Sequence, residues 1–139
     1  MIMKSTIIKL LLAWSMLLLS AGVTADDYAD GMTALTSADY TAAYRTFKRL
    51  AKRDHVEAQF QLGMLYLHGQ GVEQNTQQGV KWLKQAAEDG YYYLAANELG
   101  QIYLAGQWVE RSETEAIKWL ELATKIAEEN EDEAEDGCD

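Results

Sequence analysis

Between Tyr40 and Arg53 the apolar residues Ala43, Phe47, Leu50 and Ala51 stand at i, i+4, i+7 and i+8, with Arg45, Lys48, Arg49 and Lys52 on the other side. That spacing predicts an amphipathic helix with one buried stripe, and Asp39 is placed to cap its start. From Ala58 to His68 the pattern changes, because two apolar stripes run side by side. Ala58, Leu62, Leu65 and Tyr66 form one; Phe60, Met64 and Leu67 form another on nearly the opposite side. A helix with two apolar faces needs two neighbours, as an inner helix of a stack does. Gly63 sits between the stripes, where a missing side chain lets a facing helix come close. Gly69-Gln70-Gly71-Val72 then reads as a sharp turn. Asn75, with Gln78 three residues on, opens a further helix as far as Asp89, and Gly90 reads as its C-terminal stop.

Much of this pattern returns 37 residues later. Ala58, Leu62, Gly63, Tyr66, Gly69 and Val72 recur as Ala95, Leu99, Gly100, Tyr103, Gly106 and Val109. Val80, Trp82, Leu83 and Ala86 recur as Ile117, Trp119, Leu120 and Ala123. A period of this size predicts stacked helical hairpins. In the later copy Ala95, Leu99, Ile102 and Tyr103 rebuild the first stripe, but the second becomes Asn97, Gln101 and Leu104, as suits the end of a stack. Ser112 and Glu115 form a capping box for the last helix, and Leu122 and Ile126 give it apolar surface to close the stack. A degenerate hairpin precedes the repeats, its first helix running from about Asp27 to Leu35 and weakened by Gly31. The chain has no proline and no long alternating run suited to a strand. The expected fold is therefore all-α, an α-solenoid of about three antiparallel hairpins over residues 26–57, 58–94 and 95–129.

The two ends carry different signals. Lys4 and Lys9, the apolar run from Leu10 to Leu19 and the small residues of Val23-Thr24-Ala25 predict a cleaved signal peptide over residues 1–25. The apolar run is shorter than the ~20 residues of a spanning helix, so no stable membrane insertion is expected after cleavage. Export to the periplasm is the expected outcome, with secretion as the alternative. Removing Lys4 and Lys9 would take the net charge from −10 to −12. Such acidity argues against nucleic acid, whose phosphates are bound by neutralisation. The charge is uneven, since Arg45, Lys48, Arg49, Lys52 and Arg53 crowd one helix, while Glu128 to Asp139 carries eight acids and no base. Residues 130–139 read as an acidic disordered tail. Its Cys138 is the chain's one cysteine, so no internal disulfide forms. Opposite charges at the two ends suggest that the tail meets the basic helix, in the same molecule or a neighbour.

The run Ala-x3-Leu-Gly-x2-Tyr-x2-Gly-x-Gly-Val, followed by Trp-Leu-x2-Ala-Ala-x2-Gly, resembles the Sel1-like repeat, a relative of the tetratricopeptide repeat. It covers Ala58 to Gly90 almost completely and Ala95 to Ala127 well. The resemblance implies a right-handed superhelix with a concave face and a scaffold or adaptor role, in exported bacterial members often within envelope complexes. Three departures stand out. Trp108 replaces the second turn glycine, found as Gly71 in the earlier copy, which predicts a different path for the third turn. An extra residue among Tyr91, Tyr92 and Tyr93 is expected to lengthen a linker. Cysteine-rich members are linked to β-lactam binding, and the repeats here contain no cysteine.

No catalytic constellation is evident. Serines are few and scattered, His55 and His68 lack companion ligands at metal-binding spacing, and no cofactor motif is present. The expected function is a non-catalytic adaptor of the envelope that binds a protein or peptide on the concave face, with Gln61, Met64, His68, Glu98 and Gln101 as partner-binding residues. Tyr91, Tyr92, Tyr93 and Trp108 form a candidate aromatic interaction patch. The alternatives are a structural homo-oligomer stacking end to end and, from the cysteine-rich relatives alone, a β-lactam or cell-wall hydrolase.

Overall fold

A computed structural model describes the backbone of residues 25–135 and the side chains of residues 27–131. Of the leader expected over residues 1–25 only Ala25 is described, and Cys138 also lies outside the described residues. The described residues form six helices: α1 (Ala25–Thr36), α2 (Tyr40–Ala51), α3 (Val56–His68), α4 (Thr76–Glu88), α5 (Tyr93–Ala105) and α6 (Glu113–Glu135). Each packs on the helix before it and the helix after it, so the chain is an all-α solenoid of three hairpins. No helix among the described residues is long and apolar enough to cross a membrane.

The helix starts are fixed by side-chain caps at orphan backbone donors. Asp39 Oδ1 accepts the Ala42 N–H at 3.1 Å, Asn75 Oδ1 the Gln78 N–H at 3.0 Å, and Ser112 Oγ the Glu115 N–H at 3.2 Å. Helix α3 is capped by a residue that sequence reasoning left idle. His55 Nδ1 accepts the Ala58 N–H at 3.3 Å, and its ring stacks on Tyr28 at 5.0 Å.

Two apolar cores share α3. Ala58, Leu62 and Leu65 join Ala43, Phe47 and Leu50 in the first, with Tyr66 packed against them. Leu67 joins Leu83, Ala86, Leu99 and Trp119 in the second, with Phe60 and Met64 against it. The two stripes of α3 thus face two different hairpins. A Cβ on Gly63 would lie 3.0 Å from the Gly79 carbonyl oxygen, so the missing side chain is what sets the α3–α4 distance. Gly31, read as a weak point of α1, faces the Phe47 ring, which a Cβ there would meet at 2.6 Å.

Four local expectations need correction. The α2–α3 and α4–α5 connections have the same length, because the extra residue is taken up inside α4, which has 13 residues against 12 in α2. Gly90 does not supply the left-handed residue after α4. That conformation falls on Tyr91 (φ 48), matching Asp54 (φ 61) in the preceding connection. Gly90 is small because a Cβ there would meet Val56 Cγ1 and, at 2.8 Å, the Ala86 carbonyl. The third turn closes as the second does, with Ser112 N–H on Tyr103 O at 3.1 Å where Asn75 N–H meets Tyr66 O at 2.9 Å. It differs in that Gly71 has φ 69 whereas Trp108 is not left-handed. Finally, α6 does not stop at Asn130 but continues to Glu135. Nothing in Glu128–Glu135 breaks a helix, and Lys125 and Glu129 (3.7 Å apart at i,i+4) support its last turns.

Candidate functional site

The two connections after α3 and α5 place chemistry where the repeat changes its residues. His68 ends α3, and its ring meets Trp108, from the α5–α6 turn, edge-on at 5.0 Å. Trp108 is half-buried and forms one wall of a trough of about 540 Å³ along α4. Val109 from the same turn and Val80, Lys81 and Lys84 of α4 make the rest of its apolar and basic part, with Glu88 and Asp89 at the far end. Lys84 Nζ lies 5.7 Å over the Tyr103 ring and 5.5 Å over Trp119. These positions hold the amine by its charge while its stem covers apolar surface.

A second trough, of about 510 Å³, runs along α2 between Tyr44, Arg45, Lys48, Arg49, Lys52 and Arg53. It is the same place in the fold. Phe47, Leu50 and Ala51 of α2 are buried where Leu83, Ala86 and Ala87 of α4 are, a shift of 36 residues. By that shift Arg49, Lys52 and Arg53 correspond to Gln85, Glu88 and Asp89. The charge at one end of the trough is therefore inverted between successive hairpins.

The α2 trough is tied to α3 through two phenols. Lys48 Nζ donates to Tyr44 Oη at 2.9 Å, and Tyr44 Oη lies 3.0 Å from Tyr66 Oη, the rings meeting edge-on. Burial works to raise the Tyr44 pKa, but the hydrogen bonds with Lys48 and Tyr66 and the charges of Lys48 and Lys52 outweigh it and bring the group below the ordinary phenol value. Tyr66 is pushed up to about 12, first by burial and then by the hydrogen bond to Tyr44 and its charge. A raised native pKa means that the folded state holds its proton longer than the unfolded chain. The Tyr66 contribution to stability is thus complete below the ordinary value of 10.0 and lost as the pH rises towards about 12. The lowered Tyr44 acts in the opposite sense just below that window. In an ultraviolet phenolate titration, Tyr66→Phe should remove a phenol that ionises near pH 12 and flatten the alkaline loss of stability. Tyr92, also raised by its burial, stays as an internal reference.

Of the residues expected to bind a partner on α3 and α5, His68 and Gln101 are exposed, and Gln61 and Glu98 are half-buried. Met64 is packed against the second core and belongs to the packing between hairpins. The aromatic patch divides. Tyr91 is 62% exposed and Tyr93 41%, but Tyr92 turns inward and meets the Phe60 ring at 5.5 Å. Trp108 lies with His68 rather than among the tyrosines. Sequence reasoning missed the α4 trough and the Tyr44–Tyr66 link. The signal for the trough was the 36-residue correspondence between α2 and α4, which is hidden under the 37-residue repeat, and the Tyr44–Tyr66 link had none. Among the described residues no three His, Cys, Asp or Glu side chains come together as metal ligands.

The hairpins that carry these features have known counterparts. The Sel1 repeat family matches residues 56–91 and 94–125, which are the α3–α4 and α5–α6 hairpins. An uncharacterized protein of Neisseria meningitidis serogroup B is 38% identical over 56 residues, or 40% of this chain and 12% of that protein. The crystal structure of a Sel1 repeat protein from Oxalobacter formigenes superposes with a TM-score of 0.56 at 31% identity, covering 62% of this chain and 35% of the other. A protective antigen of uropathogenic Escherichia coli strains, displaying an SLR fold, superposes with a TM-score of 0.56 at 36% identity, over 62% of this chain and 18% of its own. This chain therefore spans only about a third or less of the length of these relatives.

Proposed function

This chain belongs to the Sel1-like repeat family, and from that premise we propose that it is a non-catalytic adaptor of the cell envelope, binding a protein or peptide along the surface of His68, Gln101, Gln61, Glu98 and Trp108. The Sel1 repeat fold is generally a scaffold for protein–protein interaction, and its members are typically not enzymes. The observation that carries the reading is the His68–Trp108 contact, made between residues of two successive hairpins. Both stand where the repeat departs from itself, His68 against Ala105 and Trp108 against Gly71. A feature built across a repeat junction by non-repeated residues is not needed to stack the hairpins, and stacked repeats bind along such surfaces. Half-buried tryptophan beside polar, exposed side chains is also the composition of an interface hot spot. An exported, periplasmic location is part of this reading and rests on the leader pattern of residues 1–25.

The test is capture from an envelope extract with the wild-type protein and with Trp108→Ala and His68→Ala–Gln101→Ala variants. A protein retained by the wild type should be bound roughly 30-fold more weakly by Trp108→Ala, as for a central aromatic contact of about 2 kcal/mol. The His68→Ala–Gln101→Ala variant should melt close to the wild type, since both side chains are exposed, whereas Trp108→Ala also loses packing against the second core and is compared at a temperature where it is folded. Capture unchanged in both variants would remove this surface from the reading.

A further inference from the structure

The trough on α2 gathers Arg45, Lys48, Arg49, Lys52 and Arg53 around Tyr44 with no carboxylate in its lining. These are five of the 12 basic residues of a chain whose net charge is −10. Arg49 is held by Asp27 in a two-pronged pair at 3.0 and 3.1 Å, and Lys48 donates to Tyr44. Arg45, Lys52 and Arg53 are exposed and make no ion pair among the described residues. Arg45 and Arg49 set like charges four apart on the helix, and Lys52 and Arg53 continue the same basic surface just beyond its end at Ala51. The fold does not require Lys52 and Arg53 after the end of α2, because the chain carries Glu88 and Asp89 at the equivalent places by α4.

The complementary feature is at the other end of the stack. Helix α6 has 23 residues against 13 in its partner α5. Among its described side chains the last buried one is Ile126, and Glu128, Glu129, Asn130 and Glu131 are all exposed. The eight residues Glu128–Glu135 project as about 12 Å of helix at 1.5 Å per residue. From Glu128 to Asp139 the sequence has eight acids and no base. Acids at a helix C-terminus oppose its dipole, and no basic residue stands in the last turn of α6. The two ends thus hold opposite charge: the cations at the end of α2 suit its dipole, whereas the acids at the end of α6 have no cation of their own helix beside them in its last turn. Within one molecule α3, α4 and α5 stand between α2 and α6 in the order of packing.

We propose that the basic trough of α2 is a docking site for the acidic C-terminal end of α6 from a second copy of this chain. The contact is head-to-tail, so a pair keeps one free trough and one free acidic helix, and association extends with concentration rather than closing at a dimer. Salt weakens such a contact, which is made between exposed charges.

Sedimentation velocity of the full chain at several concentrations, in low and high salt, reads this directly. Association is expected at low salt and weakened about tenfold or more at high salt. The first variant, Lys52→Glu with Arg53→Asp, installs just after α2 the residues that stand at the equivalent places by the end of α4. The second, Glu128→Lys with Glu131→Lys, reverses exposed charges on α6. Each alone should stay monomeric with an unchanged circular-dichroism melt, and mixing the two should restore a one-to-one complex, since one supplies an acidic helix and the other a basic trough. Association that survives either reversal overturns the proposal, as does failure of the mixture to associate. A wild-type chain that remains monomeric at low salt while binding a poly-glutamate peptide also overturns it, in favour of an external acidic partner.

Discussion

Replacing Gly71 with alanine is expected to lower the stability of the fold by roughly 3 kcal/mol, seen as a Tm about 10 °C lower in a thermal melt. Two effects add. Gly71 has φ 69, where a side chain costs about 1–2 kcal/mol. A Cβ built there would also run into the carbonyl group of Tyr40, the first residue of α2. Because the obstacle is backbone, no rotamer change relieves it, and the α3–α4 turn has to move away from the preceding hairpin. Gly69 separates the two effects. It has nearly the same φ, 66, but its Cβ would meet only Gln74, at 3.1 Å from a side-chain atom. Gly69→Ala should therefore lose only the conformational part, about 1–2 kcal/mol. Equal losses at the two glycines would mean that the turn does not press on α2.

The same comparison explains the third turn. Trp108 stands where Gly71 stands, and a side chain of that size has no place against backbone at the start of α4. It lies instead beside Thr76, Gln77 and Val80, with Val109, and forms a wall of the α4 trough. One substitution in an otherwise faithful repeat thus turns a tight contact between hairpins into a surface with a ring on it.

Periodicity within a helix and identity between copies were the features legible in the sequence. The two stripes of α3 could be read because burial leaves an apolar mark at helical spacing. The caps at Asp39, Asn75 and Ser112 were legible because each acts on donors three residues away. Gly90 misled, since the rule that places glycine after a helix concerns φ, whereas this glycine answers to Val56 from another helix. Tyr91, Tyr92 and Tyr93 looked alike, and only the direction of the chain after α4 sends Tyr92 inward and leaves its neighbours out. The basic row of α2 was visible as a solvent side. Its equivalence to Lys84, Gln85, Glu88 and Asp89 was not, because the shift between α2 and α4 is 36 residues while that between α3 and α5 is 37. The meeting of His68 and Trp108 joins two residues 40 apart, which no local pattern encodes.

Leucine at position 67 should matter far more to stability than leucine at position 104, although the two occupy equivalent places in α3 and α5. Leu67 is fully buried and Leu104 is 38% exposed. The difference comes from the neighbours of each helix. Leu67 points into the second core, where its Cγ would lie 2.6 Å from a Cβ on Gly79, so the leucine fills the space that the glycine vacates. No further hairpin beyond α6 covers Leu104 in that way among the described residues. Leu67→Ala should cost about 3 kcal/mol, from lost burial plus the cavity left against Gly79, with a Tm about 10 °C lower. Leu104→Ala should change stability by less than about 0.5 kcal/mol, as surface substitutions do. Both are read in one denaturant titration series, and similar losses would mean that α5 also buries its second face. The double change Leu67→Ala with Gly79→Ala offers a further reading, because a methyl on Gly79 meets both the Leu67 side chain and, at 2.9 Å, the Gly63 carbonyl, and removing the leucine relieves only the first. The double variant should lose less than the sum of the two single changes, and a purely additive result would place the two residues out of contact.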